Sequence, residues 1–100
     1  MSVFLITYDK SAGDNYQPLY DAIHKLANGY WHDLDSTWLI VSNQSALAIA
    51  NALYPHIDTN DKLLVVEIMR QAAWAGKFNP SAKAWLNNHL PAYAAAPKAA

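Results

Sequence analysis

The stretch that decides the fold runs Ser2-Val3-Phe4-Leu5-Ile6-Thr7-Tyr8-Asp9. It is mostly apolar and rich in β-branched and aromatic residues, which predicts a buried strand over Ser2–Tyr8. A secretion signal would need a basic leader and a longer apolar region than the one that Asp9 interrupts. We therefore interpret this stretch as the first strand of a sheet.

A helical pattern follows the polar loop that comes after the first strand. Apolar side chains recur at spacings of three and four residues from Tyr16 to Ala27, as on one face of a helix. Pro18 is tolerated in a first helical turn, and Asn28-Gly29 is a typical C-terminal stop. This is the clearest helix in the sequence.

Three further strands are predicted by β-rich runs between turn residues. Two of them, Tyr30–Leu34 and Thr37–Ser42, flank the turn residues Asp35-Ser36 and form a hairpin. The fourth strand is expected over Lys62–Met69, after a polar turn.

A second helix is expected between the hairpin and the fourth strand. Ser42 or Asn43 is the predicted N-cap, and Pro55 ends the helix near Tyr54 or kinks its last turn. The predicted apolar face consists of Leu47, Ala50, Leu53 and Tyr54.

The chain beyond the fourth strand is less regular. Asn79-Pro80-Ser81 opens a short helix that extends to about Leu90. The aromatic residues in 74–78 indicate packing, and the segment 74–90 is expected either to cover the open sheet face or to clasp a partner subunit. Residues 91–100 are rich in Ala and Pro, which predicts a flexible tail.

The predicted order β-α-β-β-α-β indicates an α+β domain of ferredoxin-like topology. That topology has an antiparallel sheet of order 4-1-3-2 with two helices on one face, here followed by an additional C-terminal helix. At 100 residues the chain suits a single domain, assigned to residues 1–90.

Composition restricts the classes of function. The chain has no cysteine, so it has neither a disulfide framework nor a thiolate metal site, which suits the reducing cytoplasm. Its apolar runs have the length of strands, so no membrane segment is predicted. The net charge is −1 and the 7 basic residues are scattered, which argues against tight nucleic-acid binding by a monomer. A dimer that joins two weak patches would still be able to bind RNA or DNA.

Aspartates gather at one predicted edge of the sheet. The residues are Asp9, Asp14, Asp33, Asp35, Asp58 and Asp61. Asp9 ends the central strand, and Asp35 and Asp61 are its expected neighbours. Clustered carboxylates favour a hard cation, so the edge is a candidate Mg²⁺ or Mn²⁺ site. Ordinary turn and cap chemistry is the open alternative.

The predicted first strand ends in Tyr8-Asp9, and this ending resembles the end of the first strand in the small CRISPR-associated "Cas-two" proteins and their VapD relatives. Further segments are similar to small bacterial and phage proteins labelled "SinR family", and the resemblance extends over about residues 2–90. These segments are Tyr30-Trp31-His32, Leu34-Asp35-Ser36-Thr37-Trp38-Leu39, His56-Ile57-Asp58 and Trp74-Ala75-Gly76. No helix-turn-helix pattern is present to support a repressor function.

The resemblance implies a ferredoxin-like homodimer joined through its sheets. It also implies that Asp9 is the catalytic residue and metal ligand of a metal-dependent endonuclease acting on RNA or DNA, while other family members are structural dimers. Ser36 stands where the family often has a serine. The chain lacks the family's arginines in its first helix and has Leu39 where an acidic residue often stands, and both departures weaken the nuclease prediction.

The histidines, Ser36 and the aromatic residues give weaker indications of function than the aspartates. The four histidines lack the spacing of zinc ligands, and only His32 is a candidate acid or base. Ser36 lacks a nucleophile elbow, so it is a supporting residue at most. The four tryptophans and six tyrosines favour core and interface over base stacking.

Two functions remain open from the sequence, with a sheet-surface RNA binder as a third and weaker one. The first is a dimeric metal-dependent endoribonuclease with Asp9 on the metal. The second is a non-catalytic dimeric module that binds a protein partner.

Overall fold

The computed structural model describes residues 1–10, 16–69 and 72–90, so the predictions for Asp14 and for the tail 91–100 lie outside the described residues. The strands are β1 (Ser2–Asp9), β2 (Gly29–Leu34), β3 (Thr37–Ser42) and β4 (Lys62–Ile68). The helices are α1 (Gln17–Leu26), α2 (Ala46–Leu53) and α3 (Pro80–His89), and a 3₁₀ turn over Tyr54–His56 follows α2. None of the described helices is long and apolar enough to cross a membrane.

The four strands form one antiparallel sheet in the order β2-β3-β1-β4. β1 is a central strand, since Ile6 lies opposite Trp38 of β3 on one side and opposite Val65 of β4 on the other. The predicted α+β class is confirmed, and the architecture is compatible with the ferredoxin-like class.

One face of the sheet packs against α1 and α2. Alternate side chains of β1 point to this face, because successive residues of a strand face opposite sides. The buried residues of this first layer are Phe4, Ile6, Tyr8, Leu19, Ile23, Trp38, Ile40, Ile49 and Leu53. Leu19 and Ile23 belong to the helical face that the sequence predicted for α1.

The predicted apolar face of α2 was wrong in part. Ile49 and Leu53 are fully buried, whereas Leu47 is 70% exposed and Tyr54 is 72% exposed. Seven of the eight residues in Ala-Leu-Ala-Ile-Ala-Asn-Ala-Leu are apolar, so periodicity alone does not single out one face.

The predicted N-cap of α2 was also wrong. The cap is Ser45, whose hydroxyl accepts a hydrogen bond from the backbone N–H of Ala48 at 3.1 Å. Ser42 is buried instead, and its hydroxyl accepts from the N–H of Gln44 at 3.2 Å.

Replacing Ser45 with alanine is expected to destabilise the protein by about 1 kcal/mol, because the N–H of Ala48 loses its acceptor. For a domain of this size that loss lowers Tm by roughly 4–8 °C. Thermal unfolding followed by circular dichroism measures it, with Asn43→Ala as the control that should leave Tm unchanged. Equal Tm values for Ser45→Ala and the wild type would contradict the assigned cap.

The opposite face of the sheet is covered by α3 and the segment before it. The buried members of this second layer are Trp31, Leu39, Ala82, Leu86 and Leu90, with Trp74 and Phe78 packed against them. Of the two predicted roles of this segment, coverage of the open sheet face is confirmed.

Candidate functional site at the Asp9 edge of the sheet

The end of β1, the β2–β3 turn and the start of β4 meet at one edge of the sheet. The N–H of Tyr8 donates to the carbonyl oxygen of Ser36 at 3.1 Å, and Asp9 lies directly opposite Lys62. This register brings Asp9, Asp35 and Asp61 to the edge that the sequence predicted.

Asp9 is the exposed last residue of β1. Its position in the strand places it on the sheet face that α3 covers farther along, together with Thr7 and Leu5. Among residues 1–10, 16–69 and 72–90, no hydrogen bond or ion pair engages its carboxylate. The carboxylate is thus open to a ligand from solvent or from a second chain.

The carboxylate of Asp61 is engaged in contacts within the fold. Its Oδ2 lies 3.0 Å from Nζ of Lys10, and the two side chains are 0% and 3% exposed. The same oxygen accepts a hydrogen bond from the N–H of Asp58 at 2.8 Å, which closes the turn before β4. Losing one partner of such a buried pair is costly, so Asp61 stabilises the edge and is not a free metal ligand.

Asp35 and Ser36 form the β2–β3 turn, and His32 lies just before it in β2. Nε2–H of His32 donates to the carbonyl oxygen of Asp35 at 3.1 Å. The carbonyl oxygen of Ser36 accepts from Oγ1 of Thr7 at 3.2 Å. These contacts hold the turn, and only the exposed carboxylate of Asp35 remains as a supporting ligand.

The described residues of one chain hold no group of three His, Cys, Asp or Glu side chains able to bind a metal ion. Asp9, Asp33, Asp35 and Asp58 are the exposed carboxylates among the described residues of this edge, and Oδ1 of Asp33 accepts a hydrogen bond from Nδ2 of Asn79. A divalent cation prefers six or more oxygen ligands, with Mg²⁺ keeping several waters. Asp9 could therefore hold a divalent cation only if water molecules and a carboxylate from another chain supply the remaining ligands.

An apolar strip, defined as the exposed side chains of Leu64 and Val66, leads along β4 to Asp9. Leu64 is 56% exposed and lies opposite Thr7, and Val66 is 44% exposed and lies opposite Leu5. Paired residues in an antiparallel sheet share a face, so this β4 strip and Asp9 are on the same side. Lys62 follows at its end, beside Asp9.

Sequence reasoning missed Lys62 and the β4 strip as parts of the site. The residues Leu-Leu-Val-Val that follow Lys62 are apolar at consecutive positions, which is typical of a strand buried on both faces. Only the placement of α3, over the other end of the sheet, leaves Leu64 and Val66 uncovered. No local signal in the sequence gives that placement.

An aromatic cluster supports the same edge from the α1 side. The ring of His32 stacks on Trp38, with centroids 3.9 Å apart and planes 12° apart, and Tyr20 meets Trp38 edge-on. Nε1–H of Trp38 donates to the hydroxyl oxygen of Tyr8 at 3.1 Å. His32 is thereby a structural residue in this protomer, and its predicted acid–base role stays untested.

Burial raises the pKa of the Tyr8 hydroxyl well above its usual value, and a hydrogen bond with Tyr20 adds to the shift. Because the native pKa exceeds the unfolded one, the neutral phenol stabilises the fold fully below about pH 10, the unfolded value. That contribution is lost as the pH rises toward the native pKa.

We therefore expect the free energy of unfolding to fall above about pH 10 and to fall less steeply in Tyr8→Phe. Urea unfolding across pH 8–11 measures the slope, with Tyr54→Phe, an exposed tyrosine, as the control. Parallel slopes for the wild type and Tyr8→Phe would contradict the shifted pKa.

No protein-family model matches the chain, and no solved structure matches it.

Proposed function

We propose that this chain is a cytoplasmic, ferredoxin-like homodimer of the Cas-two and VapD kind that cleaves RNA with a divalent metal ion. Asp9 from each protomer is the metal ligand, with Mg²⁺ or Mn²⁺ as the ion. The observation that carries the proposal is the exposed, unengaged carboxylate of Asp9 at the end of the central strand.

The metal would act as a Lewis acid on the phosphate and lower the pKa of a bound water. The chain's own residues position the ligand. β1 is held on both sides, by β3 and by β4, which fixes the backbone of Asp9. Asp35 at the adjacent turn is the supporting carboxylate. Rigid placement of a ligand on a strand suits a site that needs defined geometry.

The β4 strip supports the dimer. Leu64 and Val66 are apolar side chains of a sheet face, yet they are 56% and 44% exposed. They lie on the same face as Asp9. A two-fold interface uses the same patch on both protomers, so contact through this strip would bring the two Asp9 residues toward one another. Such a contact supplies the second carboxylate that one protomer lacks.

Replacing Leu64 with glutamate is expected to convert the dimer to a monomer, because the substitution places a charge in an apolar contact. Sedimentation velocity at micromolar concentration measures the change. The matched control is Leu47→Glu on α2, which alters another exposed leucine, outside the interface, and should leave the dimer intact. A monomeric wild type, or a Leu64→Glu variant that stays dimeric, would contradict the interface.

Binding of the metal is tested separately from cleavage. Mn²⁺ added to the isotope-labelled protein should broaden the backbone NMR signals around Asp9 in the wild type and not in Asp9→Asn. The control is Asp58→Asn, which changes an exposed turn aspartate and should broaden like the wild type. Broadening that persists in Asp9→Asn would place the ion elsewhere.

A second function is favoured by Lys62. This residue lies directly opposite Asp9, so its ammonium group is able to neutralise the carboxylate without a metal ion. In that case the β4 strip and the Asp9–Lys62 pair form the contact surface of a non-catalytic dimeric module for a protein partner. The two functions differ in whether a divalent cation binds with dependence on Asp9.

A further inference from the structure

A second concave site lies between β2 and the first turn of α3. The cleft has a volume of about 290 Å³. Its walls include three aromatic side chains and three polar ones: Tyr30, Trp31, Trp85, Asp33, Asn79 and Ser81. His32 lines the cleft as well, whereas Asp9, Asp35 and Asp61 do not, so the carboxylate of the cleft, Asp33, is distinct from the proposed metal ligands.

The polar side of the cleft is organised by the N-cap of α3. Oδ1 of Asn79 accepts from Oγ of Ser81 at 2.7 Å and from the N–H of Ala82 at 2.8 Å. Nδ2 of Asn79 donates to Oδ1 of Asp33 at 3.1 Å. The second carboxylate oxygen of Asp33 has no partner among the described residues, so it is a free acceptor at the rim.

Trp31, which lines the cleft and also an apolar cavity next to it, carries an unsatisfied donor. Trp31 is 6% exposed, and its Nε1–H is buried without a hydrogen-bond partner. It is the one such side-chain N or O atom within residues 1–10, 16–69 and 72–90. A buried donor without an acceptor is costly, and a ligand oxygen or nitrogen would satisfy it after a small shift of the indole.

The aromatic walls favour a flat ligand. Trp85 is half-buried and stacks on His89, with ring centroids 4.0 Å apart, and Nδ1–H of His89 donates to the carbonyl oxygen of Trp85 at 2.9 Å. Trp31 lies against Phe78 at 5.7 Å between centroids. Both indoles are thus held in place, and because Trp31 is almost fully buried, the half-buried ring of Trp85 is the one that a flat nucleobase would stack on.

From these features we propose that the cleft binds a purine base, with guanine preferred over adenine. Guanine carries two adjacent N–H donors, N1–H and the N2 amino group, which suit the carboxylate of Asp33. Its O6 and N7 are acceptors that would satisfy Nε1–H of Trp31. Adenine offers one donor group, so it would use the carboxylate less well. The proposal does not require RNA cleavage.

The test uses the full chain and free nucleosides, with binding followed through the assigned indole NMR signals. Guanosine is expected to shift the Nε1–H signals of Trp31 and Trp85 and to leave those of Trp38 and Trp74 in place. Its apparent Kd should be about tenfold lower than that of adenosine, since a hydrogen bond to a charged group decides between them.

Two aspartate-to-asparagine variants test whether binding depends on the carboxylate of Asp33. Asp33→Asn is expected to weaken guanosine binding by about tenfold or more. Asp58→Asn removes the same charge from an exposed turn outside the cleft and should bind like the wild type. Failure of millimolar guanosine to shift Trp31 and Trp85 would overturn the proposal. Equal binding of guanosine, adenosine and glucose, or unchanged binding in Asp33→Asn, would overturn it as well.

Discussion

Replacing Trp38 with alanine is expected to remove a large part of the stability of the fold. Truncating a buried tryptophan typically costs about 3–5 kcal/mol, and a domain of this size is stable by about 5–15 kcal/mol. Trp38 is 2% exposed and lies in the layer between the sheet and α1. If the wild type is stable by about 5 kcal/mol, a loss of this size leaves a large unfolded fraction at 37 °C.

The contacts of Trp38 explain why truncation should cost more stability at this position than at other core positions. One face of its ring carries the stacked ring of His32, and Tyr20 meets the ring at 5.3 Å between centroids. Its Nε1–H is a donor to the buried hydroxyl of Tyr8 at 3.1 Å. Truncation therefore leaves a cavity and removes a hydrogen bond from a buried polar group.

Urea unfolding followed by far-ultraviolet circular dichroism measures the effect without relying on tryptophan fluorescence. Trp38→Phe keeps an aromatic ring but loses the donor, so its loss of stability should be smaller than that of Trp38→Ala. Trp85→Ala changes a half-buried tryptophan of the second layer and should also cost less. A Trp38→Ala variant within about 1 kcal/mol of the wild type would contradict this description of the core.

Much of the fold could be predicted because its local signals agree with one another. The β-branched and aromatic residues of β1 and the apolar periodicity of α1 each predicted an element that the structure contains. The apolar face of α2 was not predictable, because its alanine-rich sequence gives nearly every position the same character. Its burial is decided by which side meets β4 and α1.

The candidate site could be predicted only in part, for a related reason. The shared edge of Asp9, Asp35 and Asp61 follows from strand order, which the sequence supplies. The pairing of Asp61 with Lys10 depends on side chains 51 residues apart in the sequence, which no local pattern encodes. The cleft beside Trp31 likewise requires the position of α3 on the sheet.

Replacing Asp9 with asparagine is expected to lower RNA cleavage by about a hundredfold or more while leaving the fold intact. Asn has nearly the same shape but lacks the charge that holds a divalent cation, and metal-ion stabilisation of a phosphoryl transition state contributes several kcal/mol. Asp9 is exposed and has no partner among the described residues, so the substitution removes no internal contact.

Two variants separate the role of Asp9 from general effects of charge. Asp58→Asn removes one negative charge at an exposed turn and should cleave like the wild type. Lys62→Met removes the cation opposite Asp9 and should strengthen metal binding at low Mg²⁺, because a competing positive charge is gone. Weaker metal binding in Lys62→Met would contradict the proposed arrangement around Asp9.

The most direct measurement is cleavage of a mixed RNA pool in Mg²⁺ or Mn²⁺ by the wild type and by Asp9→Asn, both verified as folded and dimeric. Metal-dependent cleavage by the wild type that Asp9→Asn abolishes is the predicted result. No cleavage by either protein, or equal cleavage by both, would contradict the nuclease and leave the dimeric interaction module as the better explanation.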